Sequence, residues 1–401
     1  MKKLNKKLIV TNYNGGIATA LYQDGKPVEL SFDRSDSGPL LGNIYIGKVT
    51  QVVKNINAAF VEIEDGIPCY FSLEKKEQPL FTKKGNSSSI CAGDELLVQV
   101  SREAVKTKAP SVTSRISRTG KFLVLTYGKS GIGYSTKLSS GQKAGLRNVM
   151  QPFLREEYGW ILRTNAGNAT EEQLISEAQA LLSGMDTMIE NAMHRTCRSC
   201  MYRTPPEYLM CIRNIYSGEY DEILTDDPVI HKAIVSYLQE FQPLDMEKLR
   251  FYQDQLLPLS KLYALETAFD EALRERVWLR SGGYLVIQPT EALTVIDVNT
   301  GKYDGKKNTQ DTFLKINLEA AVETARHLRL RNLSGIIIVD FINMESEDNK
   351  KQLMKILSDC LSKDPKKAVV VDMTPLGLVE ITRKREQKSL REKFYEKQEN
   401  L

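Results

Sequence analysis

Between residues 8 and 32, LIVTNYNGGIATALYQDGKPVELSF, apolar and polar positions alternate around two turn signals, Asn14-Gly15-Gly16 and Asp24-Gly25. That period predicts strands joined by tight hairpins. Two or three strands cannot bury a durable core alone, so residues 1–40 need a partner from later in the chain. A run of short strands follows from 41 to 125: NIYIGKVTQVV, AAFVEIE, CYFSL, ELLVQVSREA and KFLVLTYG. Five such strands with glycine-bearing turns predict a small closed barrel of oligonucleotide-binding (OB) type. A basic polar stretch, KKEQPLFTKKGNSSS, interrupts them.

From 126 to 216 the period turns helical, broken by the strand-like GWILRTNAGNAT. Thr170 before Glu171 and Glu172 suits a helix N-cap, and Leu174, Ala178, Leu181, Met185 and Met188 then recur at helical spacing. From 217 to 280, a strand-like DEILTDD and the helical VIHKAIVSYLQEF and YALETAFDEALRERVWL can complete the N-terminal sheet. The middle of the chain then forms two insertions in one parent domain. Ser281-Gly282-Gly283 marks the next boundary.

Two strands, YLVIQ and LTVIDV, joined through Pro289-Thr290-Glu291, open the last region. Alternation puts Val295, Asp297 and Asn299 on one face and Thr294, Ile296 and Val298 on the other. The run from Gly335 to Asp340 is almost wholly apolar, as in strands covered on both faces, and ends in an acid. Between them lies KYDGKKNTQDT and then a helix with Leu314, Leu318, Ala321, Ala325 and Leu328 on one face, ending in Arg326, His327, Arg329 and Arg331. Glu319 and Glu323 suit its positive end and the basic residues its negative end. KAVVVDM is a last strand, with Asp372 at its end. The tail carries Arg383, Lys384, Arg385, Lys388 and Arg391, read either as phosphate contacts or as a solvated helix.

At 401 residues, with 41% hydrophobic and 26% charged, the chain is long enough for two to four domains, and disorder is excluded. A net charge of +4 is mild, so any nucleic-acid face must be local. No apolar run approaches the roughly 20 residues of a membrane span, and MKKLNKKLIVTNYNGG has no apolar signal core, which predicts a cytoplasmic protein. Six scattered cysteines do not suggest a disulfide framework. Cys197 and Cys200 have metal-ligand spacing near His194 and Cys211, but one CxxC falls short of four ligands. Ordinary thiols are the other reading.

Two carboxylates from neighbouring strands, Asp297 and Asp340, can hold a hard divalent cation, with water and a phosphate oxygen in the remaining positions. Magnesium there suits hydrolysis of a phosphate backbone, with Asn299 as a neutral ligand or an orienting group. Asp304 and Asp311 are candidates for outer support. A lone strand-end aspartate is commonly a turn cap; the pairing with Asp297-x-Asn299 shifts the balance. Phe60, Tyr70, Phe71, Lys106 and Lys108 fall where such barrels offer stacking platforms and phosphate contacts, although barrel aromatics also serve as core. Arg163 and Thr164, before Asn165, Ala166 and Gly167, fit a phosphate-holding loop or a solvated turn.

The stretches EALTVIDVNTG, NLEAAVETARHLRLRNLSGIIIVDFINM and LGLVEITRKR resemble the catalytic region of the ribonuclease E/G family nearly word for word, and GNIYIGKVTQVVKNINAAFVEIEDG resembles its embedded S1 domain. The resemblance implies an α+β multidomain protein. Its parts would be a split RNase H-like domain (1–40 and 217–280), an inserted S1 (OB-fold) barrel (41–125), a 5′-sensor region (126–216) and a DNase I-like catalytic α/β domain (281–401). It further implies a Mg2+-dependent endoribonuclease cutting single-stranded, AU-rich RNA to 5′-phosphate ends. Asp297 and Asp340 would be the metal-binding aspartates and Asn299 the accompanying asparagine. Arg163 and Thr164 match the 5′-monophosphate sensor, and Phe60, Tyr70 and Lys108 match the S1 positions that contact RNA, Tyr70 replacing a phenylalanine.

Two departures bear on these expectations. Thr374-Pro375-Leu376 stands where the family pattern has a further sensor arginine, and proline cannot make a bidentate phosphate contact, which puts a 5′-monophosphate preference in doubt. The zinc-link CPxC is absent before Leu401, so the expectation is a short form with no zinc site, as a monomer or a zinc-independent homodimer. Two rivals remain: an RNA-binding protein of this architecture with weakened catalysis, and a metal-dependent phosphohydrolase acting on small nucleotides.

Overall fold

The computed structural model describes residues 5–34, 40–74, 77, 79–104, 109–215, 220–254, 256–301, 309–385 and 387–395. The chain divides into two compact units. One comprises Met1–Arg34, Tyr220–Ala233 and Glu247–Leu401; the other comprises Ser35–Glu219 and Ile234–Met246.

In the first unit, the N-terminal strands Lys6–Tyr13, Gly16–Gln23 and Lys26–Asp33 form an antiparallel meander. Its turns use Asn14-Gly15 and Asp24-Gly25, all four at positive φ, the geometry that matches the twist of a two-residue hairpin. The meander is completed as expected: Glu222–Thr225 joins Lys6–Tyr13 in parallel, pairing Lys7 with Glu222, and Leu249–Phe251 adds the fifth strand. Leu259, Leu265 and Phe269 cover Ile9, Ala18, Ala20 and Phe32. The N-terminal strands thus gain the core they could not build alone.

The second sheet of this unit has six strands. Their order is Arg276–Trp278, Tyr284–Pro289, Thr294–Asn299, Gly335–Asp340, Leu378–Arg383 and Ala368–Met373. Leu285, Ile287, Ile296, Val298, Ile337, Val339, Val379 and Ile381 form the inner face, in one core with the helices Thr309–Leu330 and Glu347–Ser362. Two expectations are corrected here. Gly335–Asp340 is covered on one face only, with Ile336 52% exposed; a run of isoleucines hides the period that would have shown this. Arg276–Trp278, read as the tail of a helix, is instead strand, because the helix Leu265–Leu273 ends earlier and valine and tryptophan suit a pleated edge.

The helix Thr309–Leu330 places its basic end internally. Arg326 pairs with Glu323 at 2.6 Å, Arg329 with Glu29 at 3.1 Å, and the Arg331 Nε donates to His327 Nδ1 at 3.0 Å. Glu319, well inside the helix, accepts from the Arg280 and Ser281 amides rather than serving the helix start. Burial, reinforced by Arg326 and Arg331, holds the His327 imidazole well below its ordinary 6.5. Folded His327 therefore stays neutral where the unfolded chain takes up a proton, so this contribution to stability is present above 6.5 and lost as pH falls. The slope is about 1.4 kcal/mol per pH unit below 6.5. Urea midpoints at pH 7 and pH 5 should drop less for His327→Gln than for the parent; equal drops would contradict this.

In the second unit, Ile44–Val53, Ala58–Glu62, Pro68–Ser72, Ser111–Thr113 and Glu95–Arg102 form a five-stranded barrel. It is closed by first-to-last pairing of Ile44–Val53 with Glu95–Arg102. Val49, Val61, Phe71, Leu96, Val98 and Val112 fill it. Gly47 has no room for a side chain, since a Cβ would meet Val61 at 2.3 Å. The fifth barrel strand is Ser111–Thr113, not KFLVLTYG as the pattern suggested. Leu123–Tyr127 instead pairs with Tyr158–Leu162 in a four-stranded sheet, where Leu123 and Leu125 are buried with Trp160. The helix Glu171–Ala192 covers that core, capped by Thr170 as expected, with Leu174, Ala178, Leu181, Met185 and Met188 all buried.

Candidate active site

Thr294, Ile296 and Val298 are buried, which turns Asp297 and Asn299 to the open face of the six-stranded sheet. In the neighbouring strand Ile337 and Val339 are buried and Asp340 is exposed. The two strands run parallel, and the register makes Asp297 and Asp340 direct partners. Adjacent strands lie about 4.8 Å apart, so both carboxylates rise from neighbouring backbone positions on one face. The Asn299 Nδ2 donates to Asp297 Oδ2 at 2.6 Å, which fixes the orientation of that carboxylate.

Like charges directly opposite each other on adjacent strands repel, and a shared cation reverses the sign. The donor set fits magnesium, which is held through one or two carboxylates and keeps water and phosphate oxygens for its other positions. Among the described residues no group of three or more His, Cys, Asp or Glu could form a closed metal cage. The Cys197–Cys200 pair, together with its neighbours His194 and Cys211, therefore assembles no metal site there. The Cys200 thiol is pushed upward by burial, as an ordinary half-buried thiol is. Asp311 lies in the first turn of the helix Thr309–Leu330; Asp304 lies outside the described residues.

Several basic residues of this unit are committed to its interior. Arg383 is buried in its strand, donating to Asp364 Oδ2 at 2.8 Å and to the Leu333 carbonyl at 2.9 Å, so it is neither a solvated tail residue nor a phosphate contact. His327 and Arg331 are 2% and 6% exposed, which removes both from any surface role.

On the barrel, Phe60 and Tyr70 are direct cross-strand partners, half-buried, and both lie off the barrel core. Phe71, also considered a stacking residue, is buried in that core. Lys106 and Lys108 lie outside the described residues. Arg163 and Thr164 stand at the start of the short helical turn Thr164–Asn168. The Arg163 Nη1 donates to the Gly120 carbonyl at 2.7 Å and Nη2 to Asn214 Oδ1 at 2.9 Å, while the Thr164 hydroxyl meets Ser135 at 2.7 Å. The guanidinium fork thus spends donors on its own scaffold.

Residues missed by the sequence reading lie beside the carboxylates. Tyr284 is the direct partner of Asn299, and Trp278 that of Tyr284. The Arg276 guanidinium lies 4.6 Å from the Tyr284 ring centre. The β-branched and aromatic VW pair before Ser281-Gly282-Gly283 was the available signal.

A mixed α+β protein with a closed OB-like barrel and an open sheet face bearing paired acids is the class these elements define. The chain belongs to the ribonuclease E/G family: residues 117–386 match that family's profile. A ribonuclease G of Salmonella typhimurium (strain SL1344) is 34% identical over 394 residues, covering 95% of this chain and 80% of the relative. A ribonuclease G of Haemophilus influenzae (strain ATCC 51907 / DSM 11121 / KW20 / Rd) is 34% identical over 382 residues, covering 92% and 78%. A ribonuclease E of Synechocystis sp. (strain ATCC 27184 / PCC 6803 / Kazusa) is 33% identical over 361 residues, covering 88% and 53%. Family membership supports a ribonuclease-type, hydrolytic role. Among the described residues no helix is long and apolar enough to cross a membrane.

Proposed function

We propose that this chain is a magnesium-dependent endoribonuclease that cuts single-stranded, AU-rich RNA and leaves 5′-phosphate ends, acting in cytoplasmic RNA processing or decay. The observation that carries the reading is the register that makes Asp297 and Asp340 direct partners on an open sheet face. These two side chains would hold Mg2+, which when bound polarises the scissile phosphate and makes an attacking water more acidic. Asn299 keeps the Asp297 carboxylate turned for that task through its 2.6 Å hydrogen bond. Phe60 and Tyr70 offer a paired aromatic surface on which bases of a single strand can stack.

The six-stranded sheet is read as DNase I-like, the five-stranded sheet as RNase H-like and the barrel as S1. A monomer or zinc-independent homodimer is the assembly proposed. The Arg163–Thr164 pair carries the sensor reading only in weakened form, because Arg163 already holds the Gly120 carbonyl and Asn214. Pro375 supplies no donor of its own.

The test is cleavage of a fluorescent single-stranded AU-rich RNA, offered with a 5′-monophosphate or a 5′-hydroxyl. Cleavage should require magnesium, yield 5′-phosphorylated products and run at equal rates on the two substrates. A strong preference for the monophosphate would restore the sensor. No cleavage under any divalent ion would leave an RNA-binding protein, and stronger competition by a mononucleotide than by a long RNA would indicate a small-nucleotide hydrolase.

A further inference from the structure

On the sheet face that carries Asp297 and Asp340, the outermost strand presents Trp278 with 65% of its surface exposed. A tryptophan so open, in a protein whose other tryptophan, Trp160, is 1% exposed, forgoes a large hydrophobic gain. Its ring lies 5.2 Å from that of Tyr284, tilted by 58°. The Arg276 guanidinium sits 4.6 Å from the Tyr284 ring centre and 5.7 Å from that of Trp278. Among the described residues that guanidinium makes no ion pair, so its charge is available to an incoming anion.

The register ties this cluster to the carboxylates. Trp278 partners Tyr284, Tyr284 partners Asn299, and Asn299 bonds to Asp297. Two strand spacings, about 10 Å, separate Trp278 from the Asn299 strand. An indole beside a cation and a second ring is the chemistry that single-stranded nucleic acids use: a base stacks on the ring and the cation meets the backbone.

The geometry points to Trp278, with Tyr284 and Arg276, as a stacking subsite for a nucleobase of the RNA strand whose phosphate lies at Asp297 and Asp340. This rests on the ribonuclease reading and extends it to a base-binding position with no sequence preference, since every base has a π face. Trp278 is a positioning residue here and takes no part in bond breaking.

The experiment uses the full chain carrying Asp297→Asn and a short single-stranded RNA. Binding is followed both by anisotropy of a labelled RNA and by tryptophan fluorescence, to which Trp278 is the exposed contributor. Intact RNA should quench that fluorescence in step with binding, and the same RNA with abasic positions should bind without quenching. Adding Trp278→Ala should weaken binding about 5- to 150-fold and abolish the quench, while Trp278→Phe keeps most of the affinity. RNA binding without a quench, unaltered affinity in Trp278→Ala, or no binding at all would overturn the subsite. Quenching by RNA with no cleavage by the parent chain would keep the subsite and sink the nuclease reading. Cleavage by the parent with no quench, and a KM unmoved by Trp278→Ala, would sink the subsite alone.

Discussion

Asp297→Asn and Asp340→Asn should each lower RNA cleavage at least about 100-fold while single-strand binding is retained, a loss of the size seen when one preorganised electrostatic group is removed from a site. Asparagine keeps the shape of aspartate and part of its hydrogen bonding but not the charge that holds a hard cation. Because the two carboxylates are direct cross-strand partners, each substitution also removes a repulsion. The thermal midpoint measured without magnesium should therefore hold or rise as activity falls. That opposite movement separates a functional loss from an unfolded variant. Cleavage by either variant at the parental rate would place the chemistry elsewhere.

The largest effect on stability is expected at Arg383. Its side chain is 2% exposed and that of Asp364 4%. The pair is joined by Nε to Oδ2 at 2.8 Å and Nη2 to Oδ1 at 3.2 Å, and Nη1 also reaches the Leu333 carbonyl and Asn332 Oδ1. Arg383→Ala takes the guanidinium from a buried carboxylate and a buried carbonyl together, at a cost of about 3–5 kcal/mol. Removing both charges in Arg383→Met with Asp364→Leu should recover much of that loss, because a buried ion pair is worth little against apolar packing. Urea unfolding checks both. Unchanged stability with weakened RNA binding would instead revive the reading of Arg383 as a phosphate contact.

The sequence was most informative where chemistry is local. Asn14-Gly15 and Asp24-Gly25 can adopt positive φ at little cost, so both hairpins could be read directly, and Thr170 with its helical stripe behaved likewise. Alternation around Asp297 assigned its face correctly because Thr294, Ile296 and Val298 flank it in strict period. What failed was non-local. Ser111–Thr113 is too short to show a period, yet it forms the fifth barrel strand in place of the more apolar Leu123–Tyr127. Arg383 looked like part of a basic tail, and only its meeting with Asp364 shows it to be interior. Trp278 was absorbed into a helix pattern, because three residues of edge strand carry less periodic signal than the helix before them.

The pairing of Asp297 with Asp340 sat between these extremes. Each acid could be placed at its strand from the sequence, but the register across a helical crossover could not. The direct measurement is Mn2+ binding, followed by electron paramagnetic resonance as a stand-in for magnesium, to the parent chain and to the Asp297→Asn and Asp340→Asn variants without RNA. One ion bound by the parent and lost equally in both variants is the predicted result. Binding that survives either substitution unchanged would mean that the two carboxylates share no cation.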